Sequence, residues 1–119
     1  MTWRVACALD ELSDDLPLAV DVITDDDDDL ELAIVTHEGE YFAIRNECSH
    51  AKVPLSEGDV TDCTIECYLH GSLFDLRTGA ALNLPATQPV PVYPCRVNGD
   101  DLEVDPDNPL TDAEASPVA

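Results

Sequence analysis

Short apolar runs alternate with acidic or Gly- and Pro-bearing breaks along the whole chain. "WRVACAL" (3–9), "LPLAVDVI" (16–23), "LELAIVT" (30–36) and "EYFAIRN" (40–46) fill the first part. "TIECYL" (64–69), "SLFDL" (72–76), "VPVYPCRV" (90–97) and "DLEV" (101–104) fill the second. Runs of this length, rich in β-branched residues and bounded by turn-formers, predict strands. His37-Glu38-Gly39 and Asn98-Gly99 mark hairpin turns, Asn-Gly being the strongest short-range hairpin signal. Gly79 marks another turn. Only "ALDELSDDL" (8–16) has a helical look, and it is short. The pattern predicts an all-β domain of short antiparallel strands. Between residues 47 and 89 the runs are too short to build much core alone, and Gly, Cys, His and Pro accumulate there.

Length and composition narrow the picture. The chain has 119 residues, which fits one domain, and 45 % of them are apolar while only 5 % are aromatic. A core of Val, Leu, Ala and Ile at this size profits from an internal staple. Five cysteines argue against a complete disulfide framework. No apolar run approaches the length of a membrane span, and the N-terminus lacks a charged region followed by an apolar one. A cytoplasmic protein is the expectation.

Twenty-six acids against five Lys and Arg give a net charge of −21. Such a surface repels nucleic acid and anionic membrane, so neither is expected as a partner. The acid is uneven. Residues 46–85 carry six acids and two bases, a net of −4, and the remainder carries −17. The bias fits a basic protein partner or a salt-rich environment.

The less acidic stretch holds two pairs of metal-binding side chains. Cys48-Ser49-His50 is a C-x-H pair, and Cys67-Tyr68-Leu69-His70 is a C-x-x-H pair, sixteen residues on. Two facing loops of this kind present two sulfurs and two nitrogens to one metal centre. Thiolates suit zinc and iron–sulfur clusters, and imidazoles suit zinc and iron. Zinc accepts the same donors in a tetrahedron, although its usual spacings place like ligands in each pair, unlike the mixed pairs here.

"CSH…CYLHGSLFDLRTG" resembles the Rieske iron–sulfur signature, in particular that of the small Rieske-type 2Fe–2S ferredoxins that serve multicomponent non-haem iron oxygenases. "LPATQPVPVYP" (84–94) resembles the family's proline-containing cover loop and the strand after it, and the likeness spans about residues 2–105. The resemblance implies a Rieske domain over 1–105, an antiparallel β-sandwich base with a cluster-binding subdomain inserted at about 46–85. Residues 106–119 form an acidic tail expected to be disordered. Cys48 and Cys67 would bind one iron of a single 2Fe–2S cluster, and His50 and His70 the other. Gly71 and Gly58 would permit tight turns that aim backbone N–H groups at the sulfides, Ser72 would bond a sulfide, and Pro85 would help keep water off the cluster.

The ligand set has an electronic consequence. Two ferric ions, two sulfides, two thiolates and two neutral imidazoles sum to zero, so an electron is accepted more readily than by a dianionic all-cysteine centre. Departures from the high-potential branch lower the value again. That branch has an extra cysteine in each loop, where this chain has Val53 and Leu69, and a sulfur-bonding tyrosine, where this chain has Phe74. The low end of the Rieske range, about −150 mV, is expected.

The resemblance implies a soluble electron-transfer component rather than an enzyme. It would take electrons from a flavin-dependent ferredoxin reductase and pass them to a terminal oxygenase. The alternative is a Rieske protein acting in redox sensing or iron–sulfur cluster assembly. Lys52, between the ligand pairs, is a candidate docking contact. Cys63 reads as a non-ligand, Cys7 and Cys95 as small buried apolar residues, and His37 as a surface histidine in a turn. The run Asp25–Asp29 reads as a solvated, self-repelling loop.

Overall fold

The computed structural model describes residues 3–24, 27–47, 53–68, 71–83, 89–107 and 110. Ten strands appear: β1 (Arg4–Ala8), β2 (Leu18–Ile23), β3 (Asp29–His37), β4 (Glu40–Arg45), β5 (Asp59–Thr61), β6 (Thr64–Glu66), β7 (Leu73–Asp75), β8 (Val92–Tyr93), β9 (Cys95–Asn98) and β10 (Asp101–Val104). They form three sheets, ordered β2-β3-β4-β8, β1-β10-β9 and β5-β6-β7, and every strand pairing within them is antiparallel. The expected all-β architecture is the observed one.

The β2-β3-β4-β8 sheet lies between two apolar cores, and the register shows how. Ala33 pairs with Ile44, which pairs with Val92, and all three join the core shared with the third sheet. One residue along, Ile34 pairs with Ala43, which pairs with Tyr93, and these join the core shared with β1-β10-β9. Side chains alternate faces along a strand. A strand covered on both faces is therefore apolar at consecutive positions, which is why β3 buries Leu32 to Val35 without a break. β2, at the edge, keeps the simple alternation: Leu18, Val20 and Val22 face the β1-β10-β9 core, and Ala19, Asp21 and Ile23 are exposed.

The β5-β6-β7 sheet, inserted between β4 and β8, covers the other face. Its strands have three residues each. Leu55, Ile65, Phe74 and Leu76 from this arm pack on Ala33, Val35, Ile44 and Val92. Polar ties add to the seam. Arg77 forms a two-pronged ion pair with Glu40 and lies over the Phe42 ring. Gly79 accepts a hydrogen bond from Val90 N–H at 2.8 Å.

Several local features differ from the sequence expectation. The helical stretch at 8–16 is a single 3₁₀ turn, Leu9–Glu11, capped by Glu11 accepting from Ala8 N–H. Asp15 takes a left-handed conformation (φ 60) and its N–H bonds Thr36, so the chain leaves the helical path and returns to β3. "VPVYPCRV" is broken at Pro94, which has no N–H to donate, and its two halves enter different sheets. The β9–β10 hairpin forms, but its two-residue loop is Gly99-Asp100. Asn98 is instead the last strand residue, and its amide donates to Glu103, which Arg96 also holds. The β3–β4 turn is where His37-Glu38-Gly39 places it, with Glu38 and Gly39 both left-handed. His37 is not an ordinary surface side chain: Nδ1 lies 2.6 Å from Asp15 Oδ1 and the side chain is only 13 % exposed. Asp27 and Asp28 of the acidic run are exposed, while Asp25 and Asp26 lie outside the described residues. Pro106, the first residue of the expected tail, is buried, as is Asp105 before it, and Leu110 N–H donates to Val92 at 2.7 Å.

Candidate metal centre

Both expected ligand pairs lie, in chain order, between β4 and β8. The first belongs to the segment between β4 and the 3₁₀ turn Leu55–Glu57, and the second follows β6. Of the four expected ligands, Cys67 is among the described residues; Cys48, His50 and His70 lie outside them, as do Lys52, Leu69 and Pro85.

Cys67 sits at the end of β6, 1 % exposed, in the core that joins the arm to the base. A short reversal follows it. Cys67 N–H donates to Ser72 at 2.8 Å, and Gly71 N–H donates back to Cys67 at 2.9 Å. The reversal needs a left-handed residue, and Gly71 supplies it at φ 76. The carboxylate of Glu66 rests against the Gly71 backbone, 3.3 Å from where a Cβ would stand. Ser72 is fully buried beside the turn, and Phe74 fills the core below without a hydroxyl.

Gly58 plays a different part from the expected one. Its φ is −90, an ordinary value, and it is required by close approach: a Cβ there would lie 1.6 Å from the Glu66 carbonyl oxygen. Its N–H closes the 3₁₀ turn on the Leu55 carbonyl at 2.9 Å, and it seats the start of β5 against β6.

Two asparagines, not singled out by the sequence reading, bracket the ligand segments. Asn46 is 4 % exposed and lies two residues before Cys48. Its Oδ1 accepts from Ser56 N–H at 2.7 Å and its Nδ2 donates to Ser56 Oγ at 2.9 Å. Asn83 Oδ1 accepts from Leu73 N–H at 2.5 Å, and its Nδ2 donates to the Gly71 carbonyl at 3.2 Å.

Cys7, Cys63 and Cys95 are free. Burial is the first cause that pushes each thiol up, Cys95 to about 12, so all three stay protonated at neutral pH. Cys63 is the second residue of the β5–β6 turn at φ 61, where its carbonyl accepts from Leu76 N–H. Val53 is partly buried against the arm's core. The donor chemistry of the arm fits a 2Fe–2S cluster. A buried cysteine stands in a glycine-relieved turn, with a buried hydroxyl next to it and two mixed Cys/His pairs in the adjoining sequence.

Comparison with known proteins points the same way. The model of the Rieske [2Fe-2S] domain matches residues 2–94. The 3-phenylpropionate/cinnamic acid dioxygenase ferredoxin subunit of Escherichia coli K12 is 45% identical over 75 residues, 62% of this chain and 71% of that one. The ferredoxin of carbazole 1,9a-dioxygenase from Nocardioides aromaticivorans IC177 superposes with a TM-score of 0.80 at 37% identity, covering 90% of this chain and 100% of that one. A chain from the complex of reduced oxygenase and oxidized ferredoxin in carbazole 1,9a-dioxygenase gives a TM-score of 0.79 at 25% identity, over 89% and 94% of the two chains. With its arm, its buried Cys67 turn and a family match over most of its length, the chain belongs to the Rieske [2Fe-2S] domain family and carries the one Rieske-type 2Fe–2S cluster of such a domain.

Proposed function

We propose that this protein is the ferredoxin component of a multicomponent non-haem iron oxygenase system, carrying single electrons from a flavin-dependent ferredoxin reductase to a terminal oxygenase. The observation that carries this reading is its 45% identity to a dioxygenase ferredoxin subunit, on a chain that also matches the full length of a carbazole dioxygenase ferredoxin. Those relatives favour a carrier over the redox-sensing or cluster-assembly alternative.

Cys48 and Cys67 would hold one iron, and His50 and His70 the other. When bound, the cluster supplies a one-electron couple with no open position for a substrate, so no bond chemistry is assigned to this chain. The residues around it exclude water and set the electrostatics. Cys67, Ser72 and Phe74 are buried, Gly71 turns the backbone, and Pro85 belongs to the expected cover. Phe74 offers no hydroxyl to a ligand sulfur, and Glu66 adds negative charge beside Gly71. Both disfavour the reduced state, in keeping with a potential near the low end of the family's range, about −150 mV.

Docking would be steered by charge. Three of the arginines, Arg45, Arg77 and Arg96, are engaged by Glu47, Glu40 and Glu103, so little of the net −21 is relieved at the surface by free cations among them. A basic partner surface is favoured and nucleic acid is not. Among the described residues no helix is long and apolar enough to cross a membrane, and a cytoplasmic location fits the assignment.

Reconstitution tests the reading. NADH, a dioxygenase flavoprotein reductase, this protein and a dioxygenase terminal component should turn over only when all are present. The rate of electron delivery should fall several-fold as salt rises from low to about 0.5 M, where the Debye length is short. Failure of the reductase to bleach the protein's visible absorbance would defeat the carrier assignment, and a rate flat with ionic strength would defeat charge-steered docking.

A further inference from the structure

We infer that Asn46 and Asn83 are positioning residues for the cluster, one for each ligand loop. The inference rests on the ligand assignment Cys48, His50, Cys67 and His70. It concerns how the loops that carry those residues are held.

Each asparagine uses one planar amide as donor and acceptor at once, toward two different atoms across a loop. The Asn46 side chain reaches Ser56, so its bracket joins the two ends of the segment 47–55, whose sequence contains Cys48 and His50. The Asn46 backbone N–H donates to Glu31 of β3 at 2.9 Å. The mouth of that loop is thereby tied to the central sheet of the base. Asn83 grips Gly71 and Leu73, the two residues flanking buried Ser72. Leu82 N–H also donates to Leu73 at 2.8 Å, so Asn83 extends a backbone ladder by one side-chain rung. The same residue leads into 84–88, which contains Pro85, and so ties the second ligand loop to the expected cover.

The arm needs such ties because its strands are short. Three-residue strands fix few backbone angles beyond their ends. The brackets act where the strands end, Asn83 at the first residue of β7 and Asn46 just past the end of β4. Asn83 is exposed, so a role in core stability is not what its side chain provides. A loop held at one spacing keeps its N–H groups at one distance from the sulfurs in both oxidation states, which pre-organises the site for electron transfer.

The test uses the holoprotein and the variants Asn46→Ala, Asn83→Ala and Asn83→Asp. Three quantities are followed: iron release to a chelator, midpoint potential, and the rhombicity of the reduced electron paramagnetic resonance signal. Asn83→Ala should release iron about five- to tenfold faster, the scale of losing two ordinary hydrogen bonds. It should titrate at a lower potential with an altered rhombicity, while its thermal midpoint stays close to wild type. Asn83→Asp keeps the acceptor for Leu73 N–H and loses the donor to Gly71. It should retain slow amide exchange at Leu73, which Asn83→Ala loses, and release iron at an intermediate rate. Asn46→Ala should act in the same direction. Because Asn46 is buried and its variant can fail to fold, the exposed Asn83 decides the matter. Unchanged iron release and potential in Asn83→Ala would overturn the inference, as would a lowered thermal midpoint with an unchanged potential and spectrum. If the wild-type spectrum itself lacked the mixed Cys/His signature, the ligand assignment would fall and this inference with it. A normal wild-type signature with indifferent variants would remove the brackets alone.

Discussion

The two faces of the β2-β3-β4-β8 sheet are covered by layers built on different terms. On one face β1, β10 and β9 pair over four rungs at each contact and bury Cys7, Leu102 and Val104 against Val22, Leu32 and Ile34. On the other, β5, β6 and β7 pair over three rungs each. They bury Leu55, Ile65, Phe74 and Leu76, and Cys67, one of the proposed ligands, joins that core. Strands this short are marginal without a covering layer or a cross-link. The base is held by its own apolar core. The arm leans on that base and, under the proposed ligand assignment, would lean also on the metal held by its Cys/His pairs. Binding energy at such a site is also folding energy for the loops that form it. The difference teaches that one sheet can serve stability on one face and leave the other face to carry a cofactor whose presence completes the fold.

Removing the staple should break this symmetry most. In Cys67→Ala, or after iron is stripped by a chelator, amide exchange in β5–β7 should accelerate by about a hundredfold or more, while β2, β3 and β4 stay protected. Uniform loss of protection across all three sheets would mean that the base depends on the cluster as much as the arm does.

The seam between the layers comes next. Gly79 is left-handed at φ 75, and a Cβ there would meet the Val90 carbonyl oxygen at 1.8 Å. Gly79→Ala should therefore cost about 3 kcal/mol or more, chiefly by displacing the arm from β8. Gly99, equally left-handed in the β9–β10 turn but with open space around it, is the control within the base. Gly99→Ala should cost only about 1–2 kcal/mol, the conformational term alone. Chemical denaturation of the two variants makes the comparison. Equal losses would show that the close approach at Val90 is relieved by an easy shift.

The smallest effect belongs to the base and to pH. The hydrogen bond that His37 donates to Asp15, opposed by burial, raises the His37 pKa above its ordinary value near 6.5. A histidine raised in the folded state stabilises fully below the unfolded pKa and loses that contribution as pH rises through the folded one. Stability should therefore decline slightly as pH climbs upward from about 6.5, and Asp15→Asn should remove that slope. Parallel profiles for the two proteins would show that the pair contributes nothing measurable.

Legibility in the sequence follows the same division. The base strands are long enough to show their period, and β3's unbroken apolar run is the mark of a strand covered on both faces. The β3–β4 turn was readable because Gly39 must be left-handed. β5 was not, since Asp59-Val60-Thr61 offers one apolar residue between two polar ones. The β9–β10 loop slid by one residue because Asn98 finds Glu103 across the hairpin. The two mixed Cys/His pairs stood out in the sequence because such pairs at fixed spacing have few other uses; the family match over 2–94 shows the domain, and the individual ligands are proposed from it. The brackets were invisible, because a lone asparagine signals nothing until its amide is seen to span a loop. Pro106, the tail's first residue, looked solvated by composition, yet it is buried.

The most direct test of the mixed-ligand centre is electron paramagnetic resonance on the dithionite-reduced protein. A rhombic signal whose average g is lowered by histidine ligation is expected, with loss of the signal in Cys67→Ala. The higher average g of an all-cysteine ferredoxin, or a colourless and silent zinc-loaded protein, would contradict the assignment of Cys48, His50, Cys67 and His70.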